Sequence, residues 1–142
     1  MIDLCDAQKV SEHGWTKRIL LLEGFFDETD IHLLEKFNIE TIVHNRHMIE
    51  LLKVHAPYKS LKVHIKINSG MNRLGFLPKE EEAIRSELMA IDGVEVMGVV
   101  THFANAVPTY GADTPANDNI QLSRMHAIDP KPPTYCIAHS SA

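Results

Sequence analysis

The residues best suited to chemistry stand at the ends of apolar runs. In Leu61-Lys62-Val63-His64-Ile65-Lys66-Ile67-Asn68 the alternation puts Val63, Ile65 and Ile67 on one face of a strand. His64, Lys66 and Asn68 share the other face. A lysine and an asparagine at the C-terminal end of a strand fit a binding site, and they equally fit an edge strand with one solvated face. The loop that follows, Ser69-Gly70-Met71-Asn72-Arg73-Leu74-Gly75-Phe76, brackets an arginine with two glycines. Glycine lets the backbone turn sharply and keep Arg73 near the strand end. Its guanidinium suits a carboxylate, a phosphate or a phenolate oxygen; the alternative is a surface arginine in a turn. His102, in Thr101-His102-Phe103-Ala104-Asn105, ends another apolar run and shares a face with Val100 and Gly98. It is a site histidine or a partly buried structural one. Ser140, in Ala138-His139-Ser140-Ser141, follows the last apolar run. Hydroxyl side chains and backbone N–H groups converge in such turns and suit phosphate.

Other chemistries lack their signatures. Nine histidines raise the question of a metal. His44 and His47 straddle a strand end, and no His-Glu-x-x-His or Cys/His cluster occurs, so no metal site is expected. Neither Gly-x-Gly-x-x-Gly nor a P-loop is present. A Gly-x-Ser-x-Gly nucleophile elbow is missing as well.

These residues need a scaffold, and the hydrophobic pattern supplies one. Apolar runs at about 18–23, 40–44, 61–67, 94–102 and 134–138 read as five strands. Arg18 to Gly24 reads as a strand buried on both faces. Helices are expected over 3–13, from a cap at Asp30 to about Phe37, over 46–55, from Pro78 to about Ile91, and over about 118–127. Strands separated by helices imply β-α-β units and a parallel sheet.

The bulk numbers set bounds on all this. At 142 residues the chain suits one ordinary domain. It is short for a closed (β/α)₈ barrel of about 250 residues. With 14 basic and 19 acidic residues the net charge is −5 and no basic block occurs, which argues against nucleic acid and membrane surfaces as partners. No apolar run approaches a membrane span. Cys5 and Cys136 make no disulfide framework and fit reduced thiols in a cytoplasmic protein. The chain stops directly after a strand, so residues 1–142 are expected to be part of a larger barrel domain.

The segment Lys66-Ile67-Asn68-Ser69-Gly70-Met71-Asn72-Arg73-Leu74-Gly75-Phe76 resembles the most characteristic internal block of the alanine racemases. The spacing to Thr101-His102-Phe103-Ala104-Asn105-Ala106 fits that family. So do Ile19-Leu20-Leu21-Leu22-Glu23-Gly24-Phe25-Phe26 and the closing Ala138-His139-Ser140-Ser141-Ala142. The resemblance implies an α/β fold, a partial (β/α)₈ TIM-type barrel of about five parallel strands with intervening helices. It implies a pyridoxal 5′-phosphate enzyme that interconverts L- and D-alanine for peptidoglycan and acts as a homodimer. By position, Arg73 resembles the arginine that contacts the cofactor phenolate and the substrate carboxylate. Lys66 resembles a lysine that some members carry as a carbamate, which would turn it from repelling Arg73 to pairing with it. His102 resembles the histidine beside the cofactor ring, and Ser140, with His139 next to it, a phosphate-binding element.

The sequence also departs from the family. His139 replaces the usual asparagine, and Val107 stands where an acid is common. No segment resembles the family's Lys-Ala-Asn-Ala-Tyr-Gly block, and the β domain with its tyrosine is not in these residues, so neither catalytic base is present. Two other readings follow: a related racemase of other amino-acid specificity, or a non-catalytic remnant that binds the cofactor or a partner.

Overall fold

The computed structural model describes residues 3–55, 57, 59–103, 117–128 and 135–139, with 117–119 and 135–139 as backbone only. Helices and strands alternate along these residues. They are α1 (Leu4–Glu12), β1 (Leu20–Leu21), α2 (Glu28–Lys36), β2 (Glu40–Val43), α3 (Arg46–Val54), β3 (Leu61–Ile67), α4 (Glu81–Met89), β4 (Val94–Phe103), α5 (Asn117–His126) and β5 (Tyr135–His139). A 3₁₀ turn, Pro78–Glu80, leads into α4. The five strands form one parallel sheet in the order β1-β2-β3-β4-β5, the arrangement of a partial barrel.

One sheet face carries the apolar core. Val63, Ile65, Ile67 and Val99 meet the stripes Ile31 and Leu34 of α2, Met48, Ile49 and Leu52 of α3, and Ile84 and Leu88 of α4. Such stripes recur at the helical period, which is why the pattern was readable. The opposite face carries Glu40, His64, Lys66 and His102.

Two elements differ from the sequence expectation. The first strand is only two residues long and is buried on one side: Leu21 is buried, whereas Leu22 is 39% exposed. It pairs with β2, through Leu20↔Glu40 and Leu21↔Thr41, and with no other strand among the described residues. The cap of α2 is Asp27, not Asp30. Asp27 Oδ1 accepts the Asp30 N–H at 3.0 Å, and Asp30 Oδ2 accepts the Phe26 N–H at 2.8 Å. Both acids therefore satisfy free N–H groups at the helix start. Asp27→Ala is expected to lower stability by about 1 kcal/mol, the usual cost of a lost cap, as a shift in the urea midpoint with an unchanged slope.

Candidate functional site

The polar face of the sheet is built by register. In a parallel pair, residues in register point to the same side. Ile42↔His64 and Val43↔Ile65 set His44 next to Lys66. Between β3 and β4 the ladder reads Val63↔Val96 and then His64↔Gly98, so Met97 is an extra residue. A one-residue slip moves every later side chain to the other face. Because of this bulge, Gly98, Val100 and His102 share the face of His64 and Lys66. Without it His102 would lie with the apolar core.

Lys66 and His102 are half-buried, and Arg73 is exposed. All three line one shallow recess at the C-terminal end of the sheet, together with Asn68, Met71 and Leu74. The arginine loop is fixed at both ends. Asn68 N–H donates to the Phe76 carbonyl at 2.8 Å, and Phe76 N–H donates to the Lys66 carbonyl at 2.9 Å, so the loop returns to the strand that it left. Inside it, Asn68 Oδ1 accepts from Gly70 N–H at 3.1 Å and Asn72 N–H at 2.9 Å. Asn68 is thus an organiser of the loop. Asn72 has φ 57° and Gly75 φ 113°, which hold the tight reversal around Arg73. Thr101 Oγ1 donates to the Ile67 carbonyl at 2.9 Å and accepts from Ser69 Oγ at 2.8 Å, which ties the loop to β4.

Two histidine arrangements were not recognised in the sequence. His44 is half-buried beside Lys66. Burial holds it below its ordinary value, and the Lys66 charge adds to this, against the opposing carbonyls of Glu23 and His44 itself. The balance favours the neutral imidazole. Deeper on the same face lies a chain of charge. Arg18 Nε and Nη2 donate to Glu40 Oε1 and Oε2 at 2.6 and 2.7 Å, and His64 Nε2 donates to Glu40 Oε2 at 2.8 Å. Glu40 and His64 are both buried, and His64 Nδ1 has no partner among the described residues. Burial pushes the Glu40 carboxyl up, but the hydrogen bonds and charges of Arg18 and His64 outweigh it and set the value below the usual 4.5. No local signal marked this chain, because every residue of β2 is buried and only the strand register aligns Glu40 with its partners.

Of the other sequence candidates, His139 ends β5 opposite Phe103 in the ladder, and Ser140 lies outside the described residues. Among the described residues no three His, Cys, Asp or Glu side chains gather as metal ligands. None of the described helices is long and apolar enough to cross a membrane. Cys5 is an exposed free thiol.

The recess joins one arginine, one lysine and one histidine at the carboxyl ends of parallel strands, where barrel and open α/β folds place their ligands. The charge and donors of such a set suit a small anion. Comparisons with known proteins agree with this fold. Residues 2–142 match the profile of the family described as "Alanine racemase, N-terminal domain". The chain is similar to the alanine racemase of Janthinobacterium sp. (strain Marseille), with 45% identity over 106 residues, 75% of this chain and 30% of that protein. It is similar to the alanine racemase of Delftia acidovorans, with 40% identity over 126 residues, 89% of this chain and 34% of that protein. The biosynthetic alanine racemase of Pseudomonas aeruginosa superposes with a TM-score of 0.83 at 26% identity over 96% of this chain and 37% of that one. A histidine racemase from Leuconostoc mesenteroides has a similar fold, with a TM-score of 0.79 at 24% identity over 97% of this chain and 38% of that one. The chain thus spans about a third of the length of the relatives it matches. By the profile match over its whole described length, and by its identity to these relatives, the chain belongs to the alanine racemase family and corresponds to part of its N-terminal domain.

Proposed function

We propose that these residues form part of the active-site barrel of a pyridoxal 5′-phosphate amino-acid racemase acting on alanine, which supplies D-alanine for peptidoglycan in the cytoplasm and works as a homodimer. The observation that carries this reading is the convergence of Lys66, Arg73 and His102 on one recess at the carboxyl ends of the strands. The donor set fits a planar, anionic pyridine cofactor. Arg73 would face the phenolate oxygen and the substrate carboxylate, and the His102 ring would pack beside the pyridine. Ser140 and His139 would hold the phosphate. When bound, the cofactor withdraws electrons from the substrate Cα and makes its proton removable.

The residues of this chain hold and orient rather than move that proton. Asn68 keeps the Arg73 loop in shape, so the guanidinium meets its anion with little further ordering. Lys66, if carbamylated, would become an anion and pair with Arg73; as an ammonium it repels Arg73 and makes the recess more cationic. The sequence holds neither base, so residues 1–142, a fragment of the barrel domain, are expected to bind without turning over.

Calorimetry with pyridoxine 5′-phosphate tests this, because that analogue lacks the aldehyde that labels any accessible amine. Saturable binding, weakened about tenfold by Arg73→Ala as one charge-assisted contact is lost, is the expected result. No binding, or equal binding by Arg73→Ala, would overturn the reading. Conversion of L-alanine to D-alanine by this chain with pyridoxal 5′-phosphate would overturn its inactivity. The histidine racemase neighbour favours a second reading, a different amino acid, which a substrate panel on a complete enzyme containing this segment decides.

A further inference from the structure

Helix α5 touches the arginine loop at its first two residues. Arg124 Nη1 donates to the Ser69 carbonyl at 2.8 Å. Gln121, buried one turn earlier, packs against Gly70. A Cβ on Gly70 would lie 3.1 Å from both Arg124 Nη1 and Gln121 Nε2, so helix and loop are in close approach there. Ser69 is held separately by its side chain, through Thr101 of β4. The residue that opens the loop is therefore pinned twice, by strand and by helix. The hydrogen bonds from Asn68 give the loop its internal shape but do not set its direction against the helix layer. The contact from Arg124 joins the loop to that layer.

We propose that Arg124 is a positioning residue, which acts through the Ser69 carbonyl to fix the direction in which the loop presents Arg73 to the recess. This rests on the reading of Arg73 as the anion-holding group. A guanidinium on a backbone carbonyl is a charge-assisted hydrogen bond, stronger than a neutral one. Its fork also fixes direction, which a lysine would do less well.

The test uses the full chain with Arg124→Ala, Arg124→Lys, Arg73→Ala and the Arg73→Ala/Arg124→Ala double variant. Two quantities are read: amide hydrogen exchange, and calorimetric affinity for pyridoxine 5′-phosphate. In Arg124→Ala, exchange over residues 69–75 is expected to rise about tenfold, with β2 and β3 unchanged, because a local opening has lost one strong contact. Affinity is expected to fall toward that of Arg73→Ala, and the double variant to be no weaker than Arg73→Ala alone. Arg124→Lys should recover part of both. Loop exchange equal to wild type, exchange raised equally throughout the sheet, or additive losses in the double variant would each overturn the role given to Arg124. An affinity unchanged by Arg73→Ala would overturn the reading of Arg73 instead, while exchange still decides whether Arg124 orders the loop.

Discussion

Glu40→Ala is expected to destabilise the chain by about 3 kcal/mol, the lower end of the cost of breaking a buried ion pair. Glu40 is the shared acceptor of Arg18 and His64. Removing it leaves His64 buried with neither ring nitrogen paired among the described residues, and leaves a void between two strands. Arg18 has a side chain 65% exposed, so it can turn to water, and this holds the loss at the lower end. The urea midpoint measures it. A second arm uses pH. The folded carboxyl titrates below its ordinary 4.5, so near pH 4 the unfolded chain binds more protons than the folded one. The stabilisation is full above the unfolded value and is lost as pH falls through the lowered folded value. Glu40→Gln, which cannot ionise, should lack this part of the acid slope. The stability gap between wild type and Glu40→Gln should therefore be widest near pH 6 and shrink below about pH 4. A constant gap across that range would contradict the role of the carboxylate charge.

Gly75→Ala is expected to cost about 3 kcal/mol and to release the arginine loop, since it combines backbone strain with overlap. Gly75 has φ +113°, and a Cβ there would lie 2.7 Å from the Lys66 carbonyl oxygen and 2.9 Å from Asn68 N. Both are backbone atoms of the strand end and cannot swing aside. The methyl group would push apart the two hydrogen bonds that bring Phe76 back to β3. Gly14→Ala is the control. It has φ +87° but nothing within 4 Å, so it carries the conformational cost alone, about 1 kcal/mol. Thermal melts of the two variants compare strain with strain plus overlap. Equal losses would show that the contact with Lys66 and Asn68 gives way.

Where the chain's own periodicity carried the information, the sequence was readable. The spacing of Met48 and Leu52, and the alternation through Val63, Ile65 and Ile67, reports burial on one side of an element, and the helices and strands follow from it. Lys66 was visible on the polar face of that alternation at the strand end, and Arg73 between two glycines. Glu40 was hidden within the β-branched run Glu40-Thr41-Ile42-Val43, since its partners stand 22 residues before it and 24 after. Only register brings them together. His102 shared a face with Lys66 only through the extra Met97, and a bulge of one residue leaves no mark in local hydrophobicity. The shortness of β1 is also a tertiary effect, because the run of leucines from Leu20 to Leu22 promises more burial than a strand paired, among the described residues, with β2 alone can provide. Arg124 gave no sign either, since a basic residue in a last helical turn is ordinary.

The order of the strands across the sheet is their order along the chain. This has a kinetic meaning. Each new strand pairs with the one made just before it, across a connection whose described residues hold one α-helix. No strand must wait for a distant segment, so loop-closure entropy is met in small instalments and contact order stays low for a parallel sheet. A ribosome releasing this chain could dock each β-α unit onto an edge already in place, with growth proceeding in one direction from β1 toward β5.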